Sequence, residues 1–581
     1  MHYPLSRPAT LFAASAWIAT SYAQNTASVT PVAKAAQASG VSQQINPSFA
    51  GVGIEPSNLF SFTGAATPNQ LSINLLQNLA DYAGAPAHIR MGGNTADYMI
   101  YNQTFQGYRL LNNPDAASSE SANYLIFGPN YLEALDRFPT DTPITYGLNF
   151  GYQGADYADA IATAAAGVLD ELNNTKVYSF EIGNEPDLYG SNGNTLRTAA
   201  MSGTTYTQQY LDRAGIVYRQ VLQPRGIDPT FFEASQTAST IGTSFTIDDL
   251  NNGGLTAEVN GSKFVSSWNQ HDYFYFVGVS TYTLTLNYML NLDNTESQFK
   301  YWTTEVSSAL KTGLPYNLRE MASVGPTGLQ GISDTFGASL WTLNFFCYAA
   351  TLNISSVQMH MTDNSYGSPW APVTLNKQGP HVRPSYYAFA AFAQLLGSSN
   401  GTTQMAVLSP ATTSSFIRSY AAYEAGALTS LVLINSNQVN ASSTTKANIT
   451  FSVSLPDYSG KVLYLSYLTA DGADSTSNIT WNGISFEQDS VGTPSGGDDS
   501  AQSVKIGSDG IATFNVRDSQ AVIARLDSAV GSTNATDAAA TSASSATSSA
   551  TATTTKASSD ATKLVAKSLM MVLLALVPAF M

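Results

Sequence analysis

A single cysteine, Cys347, stands among 581 residues, so no intrachain disulfide can form. Set in the apolar run "LNFFCYAA", it reads as a buried thiol acting as a small hydrophobe. Charge is also scarce. Only 11% of the residues are charged, and 25 Lys and Arg face 41 Asp and Glu, leaving a formal −16. A chain so poor in cations repels nucleic acid and polyanions, which excludes a DNA-type or heparin-type groove. The five histidines are scattered, without the HxxxH spacing that would hold a metal. No glycine loop of the phosphate-cradling kind appears, "RMGGN" being two glycines at a strand end. The apolar run at 569–581, about thirteen residues, is too short to span a bilayer comfortably.

What is present points outside the cell. Residues 1–23 carry a weak basic n-region, an apolar stretch "ATLFAASAWIAT" and small residues before Gln24, the pattern of a secretory signal. Residues 528–560 are almost entirely Ser, Thr, Ala and Asp. They cannot build a core and read as an extended, O-glycosylated stalk. Small residues at Ser558, Ser559 and Asp560, a polar spacer and the apolar end make 561–581 a GPI-attachment signal. The alternative is an unstructured tail with an apolar patch. Nine N-x-Ser/Thr sequons fit the same route: Asn102, Asn173, Asn260, Asn353, Asn400, Asn440, Asn448, Asn478 and Asn534. Asn353, in an apolar stretch, is the one expected to be buried.

Length predicts two folded domains plus tails, and 44% hydrophobic residues suffice for sizeable cores. Between 45 and 385, strand-like runs at 51–55, 88–92, 144–150, 177–183, 231–235, 265–272, 316–322 and 356–361 alternate with helix-period runs such as "YADAIATAAAGVLDEL". Eight βα steps predict an α/β fold, a (β/α)8 TIM barrel, although a doubly wound sheet would read similarly. From 386 to 527 short strands split by Gly, Asn, Asp and Ser predict an all-β C-terminal sandwich domain. The segment 24–44 is expected to add a strand to it.

In a barrel, chemistry sits at the C-terminal ends of the strands. The exits offer Glu55, then Asn94 and Asp97, Asn184 and Glu185, His271 and Tyr273, Glu320, and finally Asp363 and Tyr366. Two carboxylates without metal spacing or a cofactor motif point to glycoside hydrolysis, with no cofactor and no metal. In "FEIGNEPDL" three acids compete. Glu181 shares strand parity with Glu185 and, at about 3.3 Å per residue, should lie roughly 13 Å deeper as a structural acid. Asp187 follows Pro186 into the loop. Glu185 stands at the exit, with Pro186 holding the chain extended, and Asn184 is placed for a sugar 2-hydroxyl. The bland reading of Glu185 is a turn acid. The partner in "LREMAS" is Glu320, which could otherwise pair with Arg319 had strand parity not made that awkward. With about 5 Å between the carboxylates, Glu320 would be the nucleophile and Glu185 the acid/base of a retaining mechanism.

"FEIGNEPDL" with "REMAS" resembles a clan A retaining glycosidase. "GVGIEPSNLFSF", "HIRMGGNTADY", "SDTFGASLWTLNFF", "MTDNSYGSPWAPV" and "VRPSYYAFAAF" are similar to glycoside hydrolase family 79, the β-glucuronidase and heparanase group, and "YLTADGADSTSNITWNG" resembles that family's β-domain. The resemblance covers roughly residues 45–525. It implies Glu185 as proton donor, Glu320 as nucleophile and Asn184 as the 2-hydroxyl contact. It further implies Glu55 and Asp97 on distal sugar hydroxyls, Tyr273 (or Tyr275) beside the nucleophile and Tyr366 near the sugar carboxylate. Each of these could equally be a packed residue. One departure is marked. Familiar members carry an Asn and a Tyr-bearing loop soon after the nucleophile, where this chain reads "EMASVGPTGLQGIS". Gly325, Gly328 and Gly331 then suggest backbone N–H groups meeting the glucuronate.

The expected protein is a secreted, GPI-anchored, retaining exo-β-glucuronidase acting on terminal glucuronic or 4-O-methylglucuronic acid of a glycan, and touching a membrane only through its anchor. Two alternatives stay open: a retaining glycosidase of the β-glucosidase or β-xylosidase type, and a non-catalytic glycan-binding wall protein.

Overall fold

The computed structural model describes residues 26–191, 194–238, 243–397, 400–409, 414–497, 502–526 and 528–530. The signal sequence, nearly all of the stalk, the anchor signal and Asn534 lie outside the described residues. Among the described residues no helix is long and apolar enough to cross a membrane.

Eight parallel strands close into a barrel: Ala50–Ile54 (β1), Ile89–Met91 (β2), Pro143–Leu148 (β3), Lys176–Ile182 (β4), Phe232–Thr237 (β5), Val265–Phe276 (β6), Tyr316–Gly325 (β7) and Ser356–Met361 (β8). β6 and β7 are the long ones. They stay paired to Tyr275↔Val324 and Phe276↔Gly325, well past the level where the other strands stop. The sequence signalled their starts but not this extension, because "YFYFVG" lacks the alternation that marks a strand.

Helices sheathe the barrel for ordinary reasons of periodicity. Gln70–Ala83 (α1) buries Leu71, Leu75, Leu76, Leu79 and Ala83 along one stripe and stops at Gly84, whose φ of +72° an L-residue rarely adopts. Phe336–Thr351 (α2) is buried nearly all round, Cys347 included, because it lies between barrel and β-domain. There the Tyr420 hydroxyl donates to Asn344 Oδ1 at 2.8 Å. Tyr386–Gly397 (α3) packs against α1 and α2. It is the barrel's last helix, so the barrel runs beyond the boundary expected at 385. The misplacement has a simple cause: "YYAFAAFAQLL" is too uniformly apolar for periodicity to show which side it covers.

The β-domain contains a sheet ordered Gln404–Leu408 (β9), Ile417–Glu424 (β10), Ala427–Asn435 (β11), Gln520–Leu526, Val462–Thr469 and shorter edge strands. Facing it, Thr26–Val29 pairs in parallel with Asn448–Ser454, which pairs with Ile511–Arg517. Val29, Phe451, Val516, Leu433 and Val522 fill the core between the two sheets. Asn353 is half-buried in a left-handed turn (φ 65°), its Oδ1 accepting the Gln43 N–H at 2.7 Å.

Candidate active site

The site is organised around a residue the sequence did not single out. Arg90, on β2, is completely buried. Its guanidinium donates from Nε to Glu181 Oε1 at 2.6 Å, from Nη1 to Glu320 Oε2 at 2.6 Å and from Nη2 to Asn184 Oδ1 at 2.8 Å. A buried guanidinium is tolerated only where its fork is filled by such charge-assisted bonds. Burial opposes its charge, yet Glu181 and Glu320 hold the pKa above its ordinary value. One signal existed in the sequence: among the barrel strands only β2 and β7 contain an arginine.

Glu185 and Glu320 are brought together. One oxygen of each, with a nitrogen of His271, lies within 4.8 Å of the others. His271 Nδ1 stands 3.2 Å from Glu185 Oε1 and 3.7 Å from Glu320 Oε2. Its Nε2 faces Arg90 Nη2 at 3.4 Å. Arginine can only donate, so Nε2 accepts and Nδ1 carries the proton, directed at Glu185. Burial lowers the imidazole pKa to about 4, which keeps this ring neutral. The Tyr273 hydroxyl donates to Glu320 Oε1 at 2.8 Å. With Arg90 already on Glu320 Oε2, the three-residue cluster suits a proton network better than a metal ion.

The two carboxyls are electrostatically unlike. Burial first, and the Glu320 charge second, push Glu185 well above the usual carboxylate range. Burial also pushes Glu320 up, but His360, His271, Arg90 and the Tyr273 hydroxyl together hold it well below that range.

Several expectations need correction. Glu185 is not extended: its φ and ψ are 49° and 54°, left-handed, and its N–H donates to Gln236 O at 2.8 Å. The strand has already ended at Ile182, so the roughly 13 Å offset of an unbroken strand does not apply. Glu181 lies one guanidinium away from Glu320, with Asn269 Nδ2 on its other oxygen at 2.7 Å. Arg319 does avoid Glu320, but by joining Glu233 at 2.7 Å on the barrel floor, where Thr145 and Ser179 complete the shell. A register shift between Leu318 and Met321 accompanies this, so parity alone does not describe β7 there.

Asp97 is buried and spent on the protein itself. It accepts the N–H groups of Phe150, Gly151 and Asn184 at 2.9–3.0 Å and the Tyr189 hydroxyl, leaving no oxygen for a sugar. Glu55 keeps a freer oxygen. Oε1 is held by Thr95, while Oε2 faces His360 Nε2 at 3.7 Å. Asn184 joins the Asn94 side chain at 3.0 Å. Of the glycines proposed to offer N–H groups, Gly328 donates to Val324 O and Gly331 to Asp334, so those two amides are taken. Gly325 lies in β7 against the rings of Tyr273 and Phe276. Tyr275 packs on Tyr282 with ring centroids 5.3 Å apart, so Tyr273 is the one beside Glu320. Tyr366 is bonded to Asn376 and covered by Arg383, 5.9 Å from its ring centre.

The two glycines of "RMGG" acquire a reason. A Cβ on Gly92 would come within 2.2 Å of Arg90 Nε and Glu181 Oε1, and one on Gly93 within 2.3 Å of Glu55 Oε2. They clear space for the charged groups.

Residues 419–523 match the family model described as the glycosyl hydrolase family 79 C-terminal beta domain. The chain is 26% identical to a β-glucuronidase of Aspergillus niger over 486 residues, 79% of this chain and 87% of that one. It is 26% identical to a β-glucuronidase of Neurospora crassa over 459 residues, 72% and 80% respectively. In fold it is similar to the crystal structure of a 4-O-α-L-rhamnosyl-β-D-glucuronidase from Fusarium oxysporum, with a TM-score of 0.70, 22% identity and coverage of 86% of this chain and all of that one. A family 51 arabinofuranosidase of Xanthomonas axonopodis is similar at a TM-score of 0.58 and 13% identity, with the same coverage. The β-domain thus matches the family 79 C-terminal domain, and most of the chain's length is homologous to fungal proteins named β-glucuronidase.

Proposed function

We propose that this protein is a retaining exo-β-glucuronidase in which Glu185 is the acid/base and Glu320 the nucleophile. The observation that carries the proposal is the carboxylate pair, oxygens within 4.8 Å and pKa values driven in opposite directions. A separation near 5 Å leaves no room for a water behind the sugar and suits direct attack. The sugar assignment draws on the two relatives named β-glucuronidase.

The chemistry follows from the environment of each group. Glu320, ionised under Arg90 and Tyr273, attacks C1 while protonated Glu185 gives its proton to the glycosidic oxygen. Once Glu320 is esterified, the negative charge that raised the Glu185 pKa is gone. Its pKa then falls, so Glu185, having given up its proton, stays ionised and can take one from the water that releases the sugar. His271, neutral and donating to Glu185, orients that carboxyl through both steps. Asn184, fixed by Arg90 and Asn94, offers its remaining amide hydrogen to the 2-hydroxyl, and Glu55 accepts from a hydroxyl further round the ring.

We further propose secretion with a GPI anchor behind the 528–560 stalk, for the sequence reasons given above. The catalytic proposal is tested by hydrolysis of an aryl β-glucuronide followed by NMR, which should show the β-anomer first and nothing with Glu320→Gln. If wild type is as inert as that variant while cleaving other aryl glycosides, the sugar assignment fails. If the α-anomer appears first, the retaining mechanism fails.

A further inference from the structure

The mouth of the barrel is divided by polarity. On one side Glu55, Asn94, Thr95 and His360 come from β1, β2 and β8. On the other, β6 and β7 rise above the rim as a paired extension. From Tyr273 to Leu292 no residue is charged, and neither is any from Met321 to Ser333. At the top of this extension Val277 is 42% and Val279 59% exposed, among the few large hydrophobics in the described residues that face water. Pro326 is exposed beside them and Phe276 is half-buried.

This tip is not a loose loop. Val277 N–H donates to Gly325 O at 2.9 Å, and Val279 and Ser280 N–H both return to Phe276 O, at 3.1 and 2.9 Å. The Phe276 N–H donates to Ser280 Oγ at 2.9 Å. Gly325 is required, because any Cβ there would come within 2.7 Å of the Phe276 and Tyr273 rings. Tyr273 connects the strip to the chemistry: its hydroxyl is on Glu320 and its ring meets Phe276 edge to face, with centroids 5.3 Å apart.

The geometry points to this extension as the leaving-group platform of the enzyme, taking an uncharged aglycone, sugar or aryl, by its C–H face on Phe276, Val277, Val279 and Pro326. The inference rests on the proposed glycosidase reading. The bond to be broken lies between Glu185 and Glu320, and β6 and β7, which carry Tyr273 and Glu320, continue from that point as a wall. That wall starts at Tyr273, is uncharged to its tip and ends on exposed Val277, Val279 and Pro326. The polar partners available to the sugar's hydroxyls stand on the neighbouring β8, β1 and β2. A rigid, ordered apolar surface next to a polar pocket is the usual composition of a ligand site, and an uncharged wall disfavours a leaving group that bears carboxylate or sulfate.

The test compares leaving groups on one sugar. The exposed Val277→Asp/Val279→Asp double variant, and separately Phe276→Ala, are assayed on the 4-methylumbelliferyl β-glucuronide and on β-glucuronyl fluoride, whose leaving group is too small to reach the platform. We expect kcat/KM for the aryl substrate to fall about tenfold, the scale of losing two valine contacts made on binding, while the fluoride stays within about twofold. Disaccharides with a neutral second sugar should be cleaved at least about tenfold faster than those with a carboxylated one. Equal effects on both leaving groups, or none on either, overturn the platform. If another glycone is cleaved and glucuronide is not, the sugar assignment has failed, and the same aryl-to-fluoride ratio on that glycone decides the platform.

Discussion

Arg90 holds Glu181 and Glu320 on two edges of one guanidinium, 2.6 Å from each. A structural acid and the proposed nucleophile therefore share a single cation, and the site cannot lose that cation without leaving two buried carboxylates facing one another. Arg90→Lys keeps the charge but not the fork, and a lysine ammonium cannot span both partners. We expect kcat/KM to drop by roughly 10²–10³ and stability by about 3 kcal/mol, the scale of breaking a buried pair. Kinetics and chemical denaturation on one preparation check both. Near-normal activity in Arg90→Lys would show that charge alone is enough.

The two carboxyls set opposite limbs of the pH profile. Glu185 must be protonated to act, and its pKa lies above the ordinary value, so activity falls as pH rises through that raised value. Glu320 must be ionised, and its lowered pKa moves the acid limb down. The two apparent values belong to the pair. Tyr273→Phe removes one of the groups that lower the Glu320 pKa. The acid limb of kcat/KM should therefore move upward, with kcat falling about 10²-fold for the lost hydrogen bond. A profile whose acid limb does not move would place Tyr273 outside the network.

Gly92 and Gly93 are predicted to be intolerant of alanine for different reasons. Gly92→Ala drives a methyl into the Arg90–Glu181 bond, so it should reproduce the loss expected of Arg90→Lys. Gly93→Ala meets the Glu55 carboxylate and also demands a φ of +144°, closed to L-residues. Its cost should be divided between folding and substrate affinity. Thermal unfolding combined with KM measurements separates the two, and a Gly93→Ala protein with unchanged KM and melting temperature contradicts the crowding.

The barrel, the β-domain and both proposed catalytic acids were legible in the sequence because each has a local signature: periodicity for the strands, "GNEP" and "REMAS" for the acids. Arg90 was missed because its role is made by partners 91, 94 and 230 positions away. A strand arginine has no signature of its own. For Asp97 the family resemblance implies a sugar contact, whereas the four donors that saturate it come from Phe150, Gly151, Asn184 and Tyr189, which no local pattern ties to it. The left-handed Glu185 was hidden for a related reason: Pro186 biases the preceding residue toward extended backbone, and only the tertiary bond to Gln236 O reveals the turn.

Asp272 stands between His271 and Tyr273 in sequence and accepts the Tyr273 backbone N–H at Oδ1, 2.7 Å away. Burial raises its pKa to about 8, against the smaller opposing pull of hydrogen bonds from the Tyr273 N–H and the Gln298 side chain. In the unfolded chain an aspartate ionises near its ordinary value, about 3.9. Between about pH 4 and 8 the unfolded state therefore holds fewer protons than the folded one, and stability falls as pH rises across that window. Asp272→Asn keeps the shape and the acceptor for the Tyr273 N–H, and cannot ionise. The variant should gain about 1 kcal/mol over wild type near pH 8, after discounting for the partial exposure of this residue, and show no gain at pH 4. Urea denaturation at the two pH values measures the difference. Equal stabilities at pH 8 would mean that Asp272 ionises without strain, with a counter-charge near enough to hold it.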